Sequence, residues 1–233
     1  TAMPLPRNLQ PELMDDPGIS TKEHVHALRG LARLNRVSRI ERTVLRALRP
    51  YLGEEPLSVL DVAAGSGDLI VSLARRTSND RIRFTGCDIS ATACDQMRRH
   101  FDRLGEPVSA RLSVVQCDAL SDPLPRGHDI VMCHLFLHHL AEPDIVGLLR
   151  KMREAAGRAV IITDLRRTRR GYALALLASR LLTRSRIVHT DALRSVQGAL
   201  TSNELRDLAI EAGYAEPCIR SVWPQRMLLV REA

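Results

Sequence analysis

Apolar residues near the start of the chain fall at helical spacing. Val25, Leu28, Leu31 and Ala32 follow Ser20-Thr-Lys-Glu23, a hydroxyl with a glutamate three residues on, which predicts a capped helix start. Ser38-Arg-Ile-Glu41 repeats the signal ahead of Val44, Leu45 and Leu48, and Pro50 should stop that helix. The pattern then changes to short runs that are apolar throughout: 57–62, 82–87, 111–117, 129–134 and 158–163. Between them lie helical stretches with Leu69, Ile70, Leu73 and Ala74, then 90–103, then 143–156, where Pro143 suits a first helical position. Strands apolar on both faces, alternating with helices, predict a buried parallel sheet of βαβ units.

After Asp164 the alternation pauses for an arginine-rich turn and an apolar helix over 172–182. Thr201-Ser-Asn-Glu204 is a third capping box, and its helix should end at Gly213. Two closing strands, 218–223 and 227–231, flank Pro224-Gln225 as a hairpin would. The reading is one α/β domain over 1–233: a helical N-terminal cap (1–52), a core (53–165), an insertion (166–200), then a closing helix and hairpin (201–233).

Composition narrows the class. Of 233 residues, 45% are apolar, enough for a sizeable core and too many for a disordered chain. The longest apolar candidate, Tyr172 to Leu182, is broken by Arg180 and too short to span a bilayer, and no apolar leader opens the chain. Five cysteines without a CxxC pair read as reduced thiols in a cytoplasmic protein, with no zinc site. The net charge of +7 raises nucleic acid as a partner. Against it, aromatics are only 3%, leaving little to stack on bases, and the arginines are scattered apart from Arg166-Arg167-Thr168-Arg169-Arg170.

The chemistry sits in Asp61-Val-Ala-Ala-Gly65-Ser66-Gly67, where a strand ends and a helix opens. No lysine follows Gly67, which excludes a Walker A loop, and Ile70 stands where a dinucleotide fingerprint needs a third small residue. The remaining reading is Asp-x-x-x-Gly-x-Gly, a loop supporting an amino-acid moiety whose charged end Asp61 helps to hold. Asp88 closes the second strand, placed to accept from ribose hydroxyls, and Asp118 closes the third, placed near an adenine amino group. Both could instead be helix caps or turn residues.

These motifs, with Gly86-Cys-Asp-Ile-Ser90, Gln116-Cys-Asp-Ala-Leu120 and the segment 129–140, resemble class I S-adenosylmethionine-dependent methyltransferases over about residues 55–233. The resemblance implies a Rossmann-like, mostly parallel seven-stranded sheet with an antiparallel last strand. It also implies S-adenosylmethionine as cofactor, leaving S-adenosylhomocysteine. Asp61, Gly65 and Gly67 would lie near the methionine part, Asp88 on ribose and Asp118 near adenine. Ala63, Ser66, Ile89 and Ala119 complete the expected cofactor-binding set, with His134 as a neighbour.

Methyl transfer is an in-line displacement, and an oxygen acceptor must lose its proton, a task suited to histidine. His138 and His139 follow the fourth strand and Asp164 the fifth. The Leu-His-His segment resembles that of sugar and phenol O-methyltransferases, which implies His138 paired with Asp164 as base. His139 and His189 remain alternatives. No Asn/Asp-Pro-Pro-Tyr/Phe motif occurs, since Cys133-His-Leu-Phe136 occupies its place, and no acidic cluster suggests a metal. The N-terminal helices and the insertion are expected to form a lid, with Tyr172, Leu174, Leu176, Leu177, Leu181 and Leu182 lining an acceptor pocket. His189 to Ser195 and Leu200 to Leu205 resemble small methyltransferases encoded beside type III polyketide synthases. The expectation is therefore a small phenolic or quinol acceptor within secondary metabolism. The competing readings are an RNA or protein methyltransferase and a cofactor-binding protein without turnover.

Overall fold

The computed structural model describes residues 5–15, 18–77 and 79–232. The expectations placed on residues 1–4, and on the side chains of Val25, Leu28, Leu31 and Ala32, lie outside the described parts. Helix α1 (Thr21–Ser38) opens as its capping signal requires, the Ser20 hydroxyl accepting from the Glu23 amide. The second capping box does not form. Ser38 is the last residue of α1, and α2 (Ile40–Leu48) follows a single left-handed residue, Arg39, with no side-chain cap. Helical propensity runs straight through the serine, so the break falls one residue later.

The core alternates as expected: β1 (Leu57–Val62), α3 (Asp68–Arg76), β2 (Ile82–Asp88), α4 (Ala91–Asp102), β3 (Leu112–Gln116) and β4 (His128–His134). A short 3-10 turn, Leu137–His139, precedes α5 (Glu142–Ala155) and β5 (Ala156–Leu165). Asp164 therefore lies within β5 instead of after it. The insertion holds two helices, α6 (Arg169–Leu182) and α7 (Arg186–Gly198), where the apolar pattern predicted one. Helix α8 (Ser202–Glu211) starts at a complete capping box between Thr201 and Glu204. The hairpin of β6 (Ile219–Val222) and β7 (Arg226–Glu232) closes the chain.

The seven strands lie in the order β3-β2-β1-β4-β5-β7-β6, and β7 alone runs against its neighbours. Strand order reverses between β1 and β4, so the carboxyl ends of those strands open onto a crevice, where such sheets hold ligands. Alternation assigns the two faces. Leu60, Val62, Val131 and Ile162 pack toward α5 and α8, whereas Val59, Met132, Ile161 and Leu228 pack toward α2, α3 and α4. Each large side chain fully removed from water on either face contributes about 1.5–3 kcal/mol. No helix of the described residues is long and apolar enough to cross a membrane.

Candidate active site

The turn after β1 has a backbone that few side chains permit. Ala63, Gly65 and Gly67 all have positive φ, at 56°, 56° and 77°. The Gly67 position is also crowded, since a Cβ there would lie 2.5 Å from Met97 Cγ. At Gly65 a Cβ would meet nothing within 4 Å, so the loop faces open space on that side. Asp88 braces the loop: its Oδ2 accepts from the Gly65 amide at 2.8 Å and its Oδ1 from the Ser90 amide at 3.0 Å. Each oxygen keeps a further lone pair. Ser66 extends its hydroxyl to Asp68 at 2.9 Å.

Asp61 is buried, and burial followed by the charge of Asp88 pushes its carboxyl well above the usual range. Its Oδ1 lies 3.9 Å from Nε2 of His134. That histidine shares a 2.8 Å hydrogen bond between Nδ1 and the Thr163 hydroxyl, while Nε2 is buried without a partner. Burial, with the charge of Arg226, depresses its pKa to about 3, so His134 is neutral under any working condition. On the neighbouring strands Asp118 forms a turn, its Oδ1 accepting from Leu120 N–H at 2.9 Å. Ile89 is 62% exposed beside Asp88, and Leu120 is exposed too, giving apolar surface at the mouth of β2 and β3. Ala119 is buried beneath that turn.

The histidine turn faces this crevice from β4. His138 is buried, its Nδ1 is 2.6 Å from Asp164 Oδ1, and its amide donates to Asp164 Oδ2 at 3.2 Å. Burial alone would lower the His138 pKa; the charge and hydrogen bond of Asp164, helped by Glu12, outweigh it and raise the pKa above the ordinary value. Asp164 is held below the carboxylate range, its burial offset by His138 and by the Leu165 amide. His139 stacks obliquely on His138 with ring centroids 4.2 Å apart, and its pKa is lowered by burial and by that neighbour. His189 is elsewhere, its Nε2 against the Thr183 carbonyl at 2.9 Å, a packing role.

Sequence reasoning missed the strap formed by residues 5–15. Its backbone is tied to α7 by Asn8 N–H to Gln197 O at 3.0 Å, and by the Leu13 and Met14 amides to the Asp191 carboxylate. Arg7 clamps the Gly198 and Leu140 carbonyls at 2.8 and 2.7 Å. The strap delivers Glu12, whose Oε1 accepts from Ser195 and lies 4.0 Å from His138 Nε2. Glu12, His138 and His139 bring one ligand atom each within 4.8 Å of one another, a grouping of residues too far apart along the chain to show as a local cluster. No periodic pattern marks Glu12, because an irregular strap has none.

The arginine run is not a patch. Arg166 bonds Gln225 at 3.0 Å and Ser221, and buried Arg167 donates to Ala199 O at 2.9 Å, to Leu5 O and to Glu204. Only Arg169 and Arg170 face solvent. The buried thiols are inert as nucleophiles; burial lifts Cys87 to about 12 and holds Cys133 well above its ordinary value.

A glycine turn at the switch point, acids ending successive strands and an antiparallel β7 define a nucleotide-type crevice in a Rossmann-like sheet. Residues 59–158 match the family described as methyltransferase domain. Over 64 residues (28% of this chain, 20% of the relative) it is 45% identical to the release factor glutamine methyltransferase of Chlorobaculum tepidum. Over 127 residues (54% of this chain, 52% of the relative) it is 29% identical to the ubiquinone biosynthesis O-methyltransferase of Nitrosomonas europaea. The chain thus spans a fifth of the first of these relatives and about half of the second. Among solved structures, the S-adenosylmethionine-dependent methyltransferase SibL shares the fold at a TM-score of 0.70 and 21% identity, over 94% of this chain and 60% of that one.

Proposed function

We propose that this chain transfers the methyl group of S-adenosylmethionine to a hydroxyl of a small aromatic acceptor, phenolic or quinol in type. The observation that carries the reading is the buried His138–Asp164 pair at the mouth of the crevice. The cofactor fits the residues present. Asp61 is a buried carboxylate lacking a cationic neighbour, next to an unpartnered His134 Nε2, as an ammonium group would require. The positive-φ loop opens into free space at Gly65, and Ile89 and Leu120 offer apolar surface for a purine. When bound, S-adenosylmethionine supplies an electrophilic methyl on a sulfonium.

The chain's own residues do the rest. Asp61 and His134 hold the amino-acid end, Asp88 accepts from ribose, and Asp118 with Ala119 borders the adenine. Asp164 fixes the proton of His138 on Nδ1 and leaves Nε2 to take the acceptor's proton. His139 and Glu12 border the same nitrogen and shape its approach. The strap, α6 and α7 act as the lid that excludes water, with Leu177 and Leu181 presented on the outside of α6. Nucleic acid is disfavoured as acceptor because Arg166 and Arg167 are spent on internal bonds, which leaves only Arg169 and Arg170 of the run facing solvent.

The test pairs binding with turnover. S-adenosylhomocysteine should raise the melting temperature by several degrees at about 100 times its Kd. Methyl transfer from labelled cofactor should then appear with phenols or quinols and not with a glutamine-bearing peptide or RNA. Stabilisation by NAD alone would overturn the cofactor, and transfer only to peptide or RNA would overturn the acceptor class.

A further inference from the structure

The excess positive charge of this chain is confined to one segment. Residues 165–190 hold seven arginines and no aspartate or glutamate. The whole chain has 34 basic and 27 acidic side chains, so the remainder carries 27 of each sign, and the net +7 lies in the insertion alone. Arg166 and Arg167 are tied internally, whereas Arg169, Arg170, Arg180, Arg184 and Arg186 are exposed. No hydrogen bond or ion pair joins the side chains of those five to another described residue.

Helix α6 gathers this charge on one side. At about 100° per residue, its exposed positions Arg169, Arg180, Ala173, Leu177, Arg170 and Leu181 fall in one arc about 120° wide and about 18 Å long. The leucines on that arc are unusually open to water, Leu177 at 59% and Leu181 at 74%. A solvated helix face mixes acids with bases, but this one mixes arginines with leucines. The rest of α6 packs on α1 and α7, and α7 seats the histidine turn through Gly198, which lies against the His138 carbonyl. The arc is therefore the outer surface of the lid.

We propose that α6 binds an anionic lipid surface, with its arginines on the phosphate headgroups and Leu177 and Leu181 inserted among the acyl chains. This goes beyond the methyl-transfer reading and does not rest on it. Guanidinium groups suit phosphate, and their stems lie along apolar surface while the heads stay at the headgroups. A face without acids meets no repulsion from anionic lipid. RNA would engage the arginines but leave the leucines in water, and the arc carries no aromatic on which a base could stack. A second copy of the chain would set arginines against arginines across a two-fold axis.

The experiment floats the full chain with vesicles of phosphatidylcholine, alone or mixed one to one with phosphatidylglycerol. The wild type should bind the mixed vesicles about 10²-fold more tightly, since each basic residue near an anionic surface contributes about fivefold. Binding should fall steeply between about 0.1 M and about 1 M salt, as the screening length shrinks from about 10 Å to about 3 Å. Replacing Arg169, Arg170 and Arg180 by glutamine should remove most of the preference. Leu177→Gln with Leu181→Gln should weaken binding by about tenfold or more, through the apolar area no longer withdrawn from water. Replacing Arg75, Arg99 and Arg103, exposed at α3 and α4, by glutamine should leave binding nearly unchanged. All these residues are exposed, so each variant should melt with the wild type. The inference is overturned by a wild type without preference for the mixed vesicles, or by an equal loss in the α3–α4 variant, which would make net charge the cause. It is equally overturned by a leucine variant that binds as the wild type does or melts lower than it. Polyuridylate displacing the vesicles would assign the face to RNA, and dimers that the leucine variant dissolves would assign it to a second copy; either result also overturns the inference.

Discussion

Asp164 grips His138 twice, with Oδ1 2.6 Å from the ring Nδ1 and Oδ2 3.2 Å from the backbone amide of the same residue. One carboxylate thus sets both the tautomer of the ring and the place of the turn that carries it. Replacing either partner should therefore separate chemistry from cofactor binding.

His138→Ala should lower kcat by about 10²-fold or more, in the range general bases contribute, with the Kd of S-adenosylhomocysteine unchanged. Steady-state rates and a cofactor titration check this. Unchanged kcat would remove His138 as the base and turn attention to His139.

The pH profile carries a signed expectation. His138 has a raised pKa in the folded chain, so its protonated form persists above the ordinary histidine range and cannot accept a proton. The rate should rise with pH through that raised value. Asp164→Asn removes the main raising charge, so its acid limb should move to lower pH even as kcat falls. The same linkage makes the His138–Asp164 attraction stabilising below the unfolded histidine pKa, and the stability is lost as pH climbs through the folded one.

Gly198→Ala tests the seat of the histidine turn. A Cβ at 198 would lie 2.5 Å from the His138 carbonyl oxygen, a backbone atom that cannot swing aside. Stability should fall by about 1–3 kcal/mol in chemical denaturation, and kcat should fall with it because the turn is displaced. Gly147→Ala, where nothing lies within 4 Å, is the matched control. Equal behaviour of the two would show that α7 does not position the turn.

Gly67→Ala should damage the cofactor side instead. It combines φ of 77° with a Cβ 2.5 Å from Met97, so both strain and overlap oppose it. The expected result is weaker S-adenosylhomocysteine binding together with a lower melting temperature.

The sheet and the cofactor loop were legible because both are written in local patterns. Continuous apolar runs identified β1, β2 and β4, and the Asp61–Gly67 spacing marked the loop within one strand–turn–helix unit. The acceptor side was only half legible. His138 and Asp164 could be named as candidates because one follows β4 and the other lies at the end of β5, and the fold brings them together. Glu12 was not among them, since its place beside His138 depends on a strap without periodicity. Helix α7 was missed for a related reason: its buried Asp191 serves the strap's amides and breaks the apolar face a pattern would show.

The strap has a kinetic consequence. Arg7 closes onto Leu140 and Gly198 across 133 and 191 residues of chain, whereas the glycine loop is braced by Asp88 only 23 residues away. Loop-closure entropy favours the nearer pairing, so the cofactor half should assemble early and the histidine turn should be roofed last. On warming, the order reverses: amides of residues 5–15 should exchange with solvent through a local opening well before those of β1 and β4. A chain caught in that open form would still hold its nucleotide while having lost its grip on the molecule to be methylated.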